Sequence, residues 1–322
     1  MRIEKCDICA CIVTYSDRRD FLLKSIESLA ANGVPNVIVL FNGVPYETEA
    51  FCRGVEEKLK TRISFASLPR NAGSAGGYST AIAEALKDPG VKSLLLLDDD
   101  NDVEPGGVDA LLKVHCQDAP QEGAATLGYR VDRRAYRSVM TSQQRVFPFG
   151  LGGSYAGIDV RSWMARRLLS VSKGPHMKSV DSVPYCCYGG LLIDRAIVEN
   201  IGLPDHTYFL YNDDHEWTYR ITSAGMSIRI APECRIRDLE RSWAESNETG
   251  TVFRSLKASP REDFLYLTIR NRLWFERKLR GKSPAMRLVN FIAFNILAVS
   301  ACITSAKRLK VILLAQLHGI GR

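Results

Sequence analysis

The stretch Ser93–Pro105, SLLLLDDDNDVEP, carries three adjacent carboxylates, Asp98, Asp99 and Asp100, with Asp102 and Glu104 close behind. Neighbouring carboxylates repel unless a cation neutralises them. Mg2+ or Mn2+, hard ions that prefer oxygen ligands, would do so and leave coordination sites for the oxygens of a diphosphate. In extended chain Asp98 and Asp100 point to the same side, so this spacing can clamp one ion or divide between an ion and a ribose. A solvated acidic turn is the plain alternative. Against it stand the four leucines, which deliver the acids from the end of a buried strand.

Two further stretches carry chemistry. In Pro69–Ala81, PRNAGSAGGYSTA, the glycines Gly73, Gly76 and Gly77 let backbone approach a ligand, and the helix that follows offers free N–H groups to an anion. Arg70 adds a donor for phosphate or a base. The stretch lacks both the Lys-Ser/Thr of a P-loop and the spacing of a dinucleotide fingerprint. In Tyr211–Arg220, YNDDHEWTYR, the acids Asp213, Asp214 and Glu216 crowd the first turn of an expected helix. The helix dipole favours negative charge there, which is the plain explanation. The chemical one is a general base that takes a proton from an attacking hydroxyl.

These residues need a scaffold. ICACIVTYS, VPNVIVLFNG, ISFASLP and VKSLLLLDDD read as strands. RDFLLKSIESLAANG, TEAFCRGVEEKLKT and GYSTAIAEALKD, between them, read as helices. That alternation predicts an open α/β sheet, with ligands beyond the carboxyl ends of its strands. Further on, a helix is expected after Pro105, a strand near GAATLGYRV and a Gly-rich loop at FPFGLGGSYAGI. A basic helix follows at VRSWMARRLLSVSK, then a helix at the YNDDHEWTYR acids and a strand at MSIRIAPECRIRD. The last 60 or so residues read as mostly helical. The expected division is residues 1–250 for the sheet domain and 251–322 for a helical extension.

Composition excludes several classes. With 46% hydrophobic residues in 322, a large core is available and general disorder is excluded. The N-terminal stretch MRIEKCDICACIVTYSD lacks the pattern of a signal peptide, which predicts a cytosolic protein. Cys6 and Cys9 form a C-x-x-C, but no second pair completes a zinc site, so free thiols are expected. From Arg254 onward the chain has 14 Lys and Arg against three Asp and Glu, while the rest is mildly acidic.

The motifs CIVTYSDRRDFLLKSIESL, VIVLFNG, NAGSAGGYSTAI, LLLLDDD, YGGLLIDRAIVENIGLPDHTYFLYNDDHEWTYRI and LYLTIRNRLWFERK, spread over most of the chain, together resemble family 2 glycosyltransferases of GT-A fold. Within that family they look most like bacterial galactofuranosyltransferases and rhamnosyltransferases. The resemblance implies an inverting transferase that uses a divalent metal and a nucleotide sugar, best matched by UDP-galactofuranose, with dTDP-rhamnose as the alternative. It implies that Thr14, Tyr15, Asn42, Arg70, Asn71 and Gly73 bind the nucleotide. Asp98 and Asp99 would contact it too, and Asp98 and Asp100 would hold the metal. It makes Asp214 the base and assigns Tyr188, Gly189, Asp213 and Glu216 to the acceptor. Two positions depart from the family. Phe41 stands where an Asp usually precedes Asn-Gly, and Asp238 stands where a metal-binding His is usual; Asp is also a hard-ion ligand, so Asp238 is expected to join Asp98 and Asp100 on the metal.

The tail holds about 16 mainly apolar residues from Leu288 to Ile303, short of the roughly 20 that span a bilayer. Its basic flanks suit anionic headgroups. The expectation is a peripheral protein on the cytosolic face of the cell membrane, acting on a lipid-linked saccharide. The alternative is a helical pair packed on the body or in a homo-oligomer. A nucleotidyltransferase would need a basic residue within an N-terminal glycine loop, and here the loop begins only at Gly73. A nucleic-acid binder would need a reader motif, which the tail lacks.

Overall fold

The computed structural model describes residues 3–54, 61–117, 123–133, 136–137, 140, 153–161, 163–164, 180–240, 256, 259, 261–279 and 283–321. The chain forms two compact units. One comprises Met1–Met140, Met177–Phe209 and Asp213–Glu240. The other comprises Thr141–His176, Leu210–Asn212 and Arg241–Arg322. The last segment of the second unit starts at Arg241, against the sequence expectation of a helical extension over 251–322.

The first unit is built on one sheet. Its strands are β1 (Ile8–Thr14), β2 (Asn36–Asn42), β3 (Arg62–Leu68), β4 (Ser93–Asp98), β5 (Asn101–Val103), β6 (Ala125–Arg130), β7 (Val180–Val183), β8 (Leu191–Asp194) and β9 (Ile228–Asp238). Their order is β3-β2-β1-β4-β8-β6-β9-β5, with β7 also on β9. The first four pair in parallel, as the strand–helix alternation requires. Leu94 to Leu97 are each buried, because helices cover both faces of β4. From β8 onward the sheet is mixed: β8 runs antiparallel to both β4 and β6, and β9 runs parallel to β6.

The helices here are α1 (Arg19–Ala31), α2 (Tyr46–Arg53), α3 (Gly73–Ala85), α4 (Gly107–His115), α5 (Arg195–Ile201) and α6 (Asp213–Ser223). Leu22, Ile26 and Leu29 of α1 pack with Ile12, Leu95 and Leu97 in the main core. All nine cysteines are free; Cys9 is buried and Cys6 exposed. Most of the basic helix expected at VRSWMARRLLSVSK, and the first part of the Gly-rich loop before it, lie outside the described residues.

The second unit contains α7 (Glu262–Lys278), α8 (Pro284–Cys302) and α9 (Ala306–Ile320). Ser283 and Ser305 cap α8 and α9 by accepting from the N–H groups of Met286 and Arg308. Leu265, Ile269 and Leu273 of α7 pack with Phe294, Ala298 and Ile312 to form this unit's own core.

Candidate active site

Parallel pairing brings the carboxyl ends of β1, β2 and β4 to one edge, with Val13 opposite Asp98 and Thr14 opposite Phe41. The hydroxyl of Thr14 donates to Asp99 at 2.7 Å. Nε of Arg18 donates to both Asp99 oxygens at 2.9 Å. The same guanidinium lies 3.4 Å from Asp100, pairs with Glu240 and stacks near the rings of Tyr15 and Phe21. One arginine therefore faces three carboxylates. Even so, burial pushes the Asp99 carboxyl up to about 6, against the pull of Arg18. Asp100 rises to about 7, through burial first and then the charges of Asp98, Asp99 and Asp238.

Asp98 sits in a second cluster. One oxygen accepts from the Tyr78 hydroxyl at 2.9 Å, and the other lies 3.8 Å from the guanidinium of Arg130. Arg130, at the end of β6, is fully buried. It donates to the carbonyl of Gly189 at 2.6 Å and pairs with Asp238. Arg133 pairs with the second oxygen of Asp238 at 3.1 Å, and Asn101 bonds the first at 3.1 Å. Gly189 is glycine because space demands it. A Cβ there would strike the Arg130 guanidinium and the Asn101 amide and stand 2.6 Å from an Asp98 oxygen.

The glycine loop joins the acids of α6. Gly73 has φ of 71°, and a Cβ on it would collide with the carbonyl of Phe209. Asn42 braces the loop: it donates to the Gly73 carbonyl at 2.9 Å and accepts from the Ala72 N–H at 2.8 Å. One residue into α3, Ser74 donates to Asp213 at 2.8 Å. One turn further on, Tyr78 reaches Asp98, and its ring lies 4.1 Å from that of Tyr188. Tyr188 is buried, and its hydroxyl feels the charges of Asp213 and Asp214. Burial and the charge of Asp214 push Asp213 up to about 8. Asp214 rises to about 7, through burial first and the charge of Asp98 among the lesser causes. Groups this close titrate as a set.

The structure brings Thr14, Asp98, Asp99, Asp100, Tyr188, Gly189, Asp213, Asp214 and Asp238 to one edge. Tyr15, Arg70 and Asn71 are exposed beside it. Two assignments look different in three dimensions. Asn42 is buried and engaged with the loop. Glu216 is buried and accepts from Nε and Nη2 of Arg220, one oxygen each. Sequence reading missed Arg18, Ser74, Tyr78, Arg130 and Arg133. The only available signal was arginine beside a strand end, in SDRRD and GYRVDRR.

The donor set suits a hard divalent ion. Asp98 and Asp100 supply carboxylate oxygens in a place where like-charge repulsion already raises Asp100. Among the described residues no group of three or more His, Cys, Asp or Glu converges to hold a metal. Asp238 has both oxygens engaged by Arg130 and Arg133. Asp98 and Asp100 are engaged as well, Asp98 by Tyr78 and Asp100 by Arg18.

The sequence of residues 7–255 matches the family described as "Glycosyltransferase like family 2". The chain belongs to that family. No curated protein matches it. The crystal structure of S. aureus TarS superposes with a TM-score of 0.53 at 11% identity, covering 98% of this chain and 48% of that one. The chain thus spans about half the length of that protein. TarS 1–349 in complex with UDP-GlcNAc gives a TM-score of 0.51 at 14% identity, covering 98% of this chain and 78% of that one. At such identities the likeness is one of fold, which is GT-A with helices after the sheet domain.

Proposed function

We propose that the protein transfers galactofuranose from UDP-galactofuranose, with inversion, to a hydroxyl of a lipid-linked glycan in bacterial surface-polysaccharide assembly. One observation carries the reading. The Ser74–Asp213 hydrogen bond at 2.8 Å ties the first turn of α3 to the first turn of α6, while Tyr78 on the same helix bonds Asp98. The glycine loop, the acidic strand end and the base candidates are therefore parts of one site. The UDP-GlcNAc complex of TarS supports a uridine diphosphate donor, and the sequence motifs favour galactofuranose over rhamnose.

In this reading Tyr15, Arg70 and Asn71 meet the nucleotide at the exposed rim. The acceptor oxygen attacks the anomeric carbon, Asp214 takes the hydroxyl proton, and the bond to the diphosphate breaks as UDP leaves. A Mn2+ or Mg2+ ion held by Asp98 and Asp100 would supply Lewis-acid charge to the departing diphosphate. Asp213, held by Ser74, stands beside Asp214 on the acceptor side. Tyr188 and Gly189 form the floor beside Asp98.

The test is a panel of nucleotide sugars scored by nucleotide release, with Mn2+, with Mg2+ and with EDTA. UDP release from UDP-galactofuranose that EDTA abolishes is the expected result. Turnover of dTDP-rhamnose alone would overturn the donor assignment, and full turnover in EDTA would overturn the metal.

A further inference from the structure

We propose that α8 and α9 form a docking face for an anionic lipid bilayer, with both helices lying in the plane of the headgroups. This inference stands apart from the donor and acceptor assignments. It starts from a stripe. Leu288, Ile292, Ile296, Val299 and Ile303 recur at helical spacing along α8, and each is at least 50% exposed. Leu313, Leu317 and Ile320 repeat the pattern on α9, again at least 50% exposed. A soluble surface rarely gathers so many large aliphatic side chains on adjoining helices without a partner to cover them.

The opposite faces are occupied. Phe294, Ala298 and Cys302 of α8, and Ile312 and Ala315 of α9, are buried in the core formed with α7. Asn290 accepts from the Val160 N–H and donates to the Gly153 carbonyl. In length and composition α8 could cross a membrane, and 22% of its apolar window is buried in the protein. Spanning would strip α8 from α7, a helix that carries Arg270, Arg272, Glu276, Arg277 and Lys278. Lying flat keeps that core intact and covers only the exposed stripe, as interfacial helices do.

Charge identifies the occupant. After Glu276 the chain has no Asp or Glu and nine Lys and Arg. Lys307 and Lys310 are exposed in the first turns of α9; Lys307 pairs with Glu262 at 2.9 Å, and Lys310 precedes Leu313 and Leu317 at helical spacing. A second copy of the same face would set these cations against their like. Anionic headgroups neutralise them while the acyl region takes the aliphatic stripe.

The test is flotation of the full-length protein with two vesicle types: phosphatidylcholine alone, and phosphatidylcholine mixed with phosphatidylglycerol. Binding is expected to the mixed vesicles, to be weak on the neutral ones, and to be released by alkaline carbonate. Lys307→Gln with Lys310→Gln should weaken binding to mixed vesicles on the order of tenfold. Ile292→Asp with Ile296→Asp should abolish it, with the far-UV CD spectrum and melting temperature unchanged because both side chains are exposed. Equal binding by the Asp variant would overturn the proposal, as would retention through carbonate. So would a wild-type dimer, seen by light scattering, that the Asp variant splits while neither protein binds vesicles.

Discussion

Arg130 places a buried guanidinium 3.8 Å from an oxygen of Asp98 while it pairs with Asp238 and bonds the carbonyl of Gly189. A single cation thus ties the end of β6 to the ends of β4 and β9 and to the segment before β8. Removing one member of a buried pair leaves the other uncompensated, which costs about 3–5 kcal/mol. Arg130→Met should therefore lower the melting temperature of the first unit markedly and weaken UDP binding, since Asp98 loses its counter-charge. Arg130→Lys should recover part of the loss, because a point charge cannot reproduce the fork. Thermal unfolding and calorimetry with UDP measure both. An unchanged melting temperature in Arg130→Met would mean that the pair contributes little.

Gly189→Ala tests the crowding around Asp98. The added methyl meets Arg130 and Asn101 as well as Asp98, and none of the three is the loose end of an exposed chain. Overpacking of this kind costs about 1–3 kcal/mol. Turnover should fall more than about tenfold, because Asp98 and the neighbouring Tyr188 must shift. Steady-state kinetics beside a melting curve would show it. A variant with normal turnover would mean that the segment can back away at no cost to the site.

Ser74→Ala removes a hydrogen bond that lowers the proton affinity of Asp213. The carboxyl pair should then hold its proton to higher pH. The acidic limb of the kcat/KM profile should move up by about one pH unit, the size expected from one hydrogen bond to a charged group. The plateau at high pH should change less. A uniform fall in rate with no displacement of the limb would make Ser74 a packing residue only.

The parallel half of the sheet was legible because β1, β2 and β4 are largely apolar runs that end in a turn or an acid, and helix-patterned segments separate them. The lengths of ICACIVTYS and VKSLLLLDDD leave little room for a helix. Strand direction was not legible: MSIRIAPECRIRD reads as a strand, but no strand was expected at LLID, and nothing in the sequence says that β8 opposes β4. The acids of the site stood out as charge clusters, and their roles came from family likeness. Their counter-charges did not stand out. Arg18 and Arg130 are single residues in ordinary-looking segments, and only the register that sets β6 beside β9 brings Arg130 to Asp238. Asn42 was assigned to the nucleotide by family likeness. Its partners in the glycine loop lie 29 to 31 residues away.

The last prediction separates Asp214 from Asp213. Asp214→Asn removes the proposed base, and turnover should fall about 10²–10⁴-fold with UDP affinity kept near the wild-type value. Wild-type kcat should rise with pH through about 7, where burial holds the Asp214 carboxyl. Stability should run the other way. An unfolded aspartate loses its proton near 3.8, whereas burial keeps one on Asp213 up to about 8. Across that window the folded protein binds more protons than the unfolded chain, so this contribution is whole at low pH and is lost as pH rises. Asp213→Asn cannot ionise and escapes the loss. Its melting temperature relative to wild type should therefore climb between about pH 5 and about pH 8, by at least about 2 °C. A difference that stays flat across that range would mean that Asp213 is ionised throughout and that burial has not raised it.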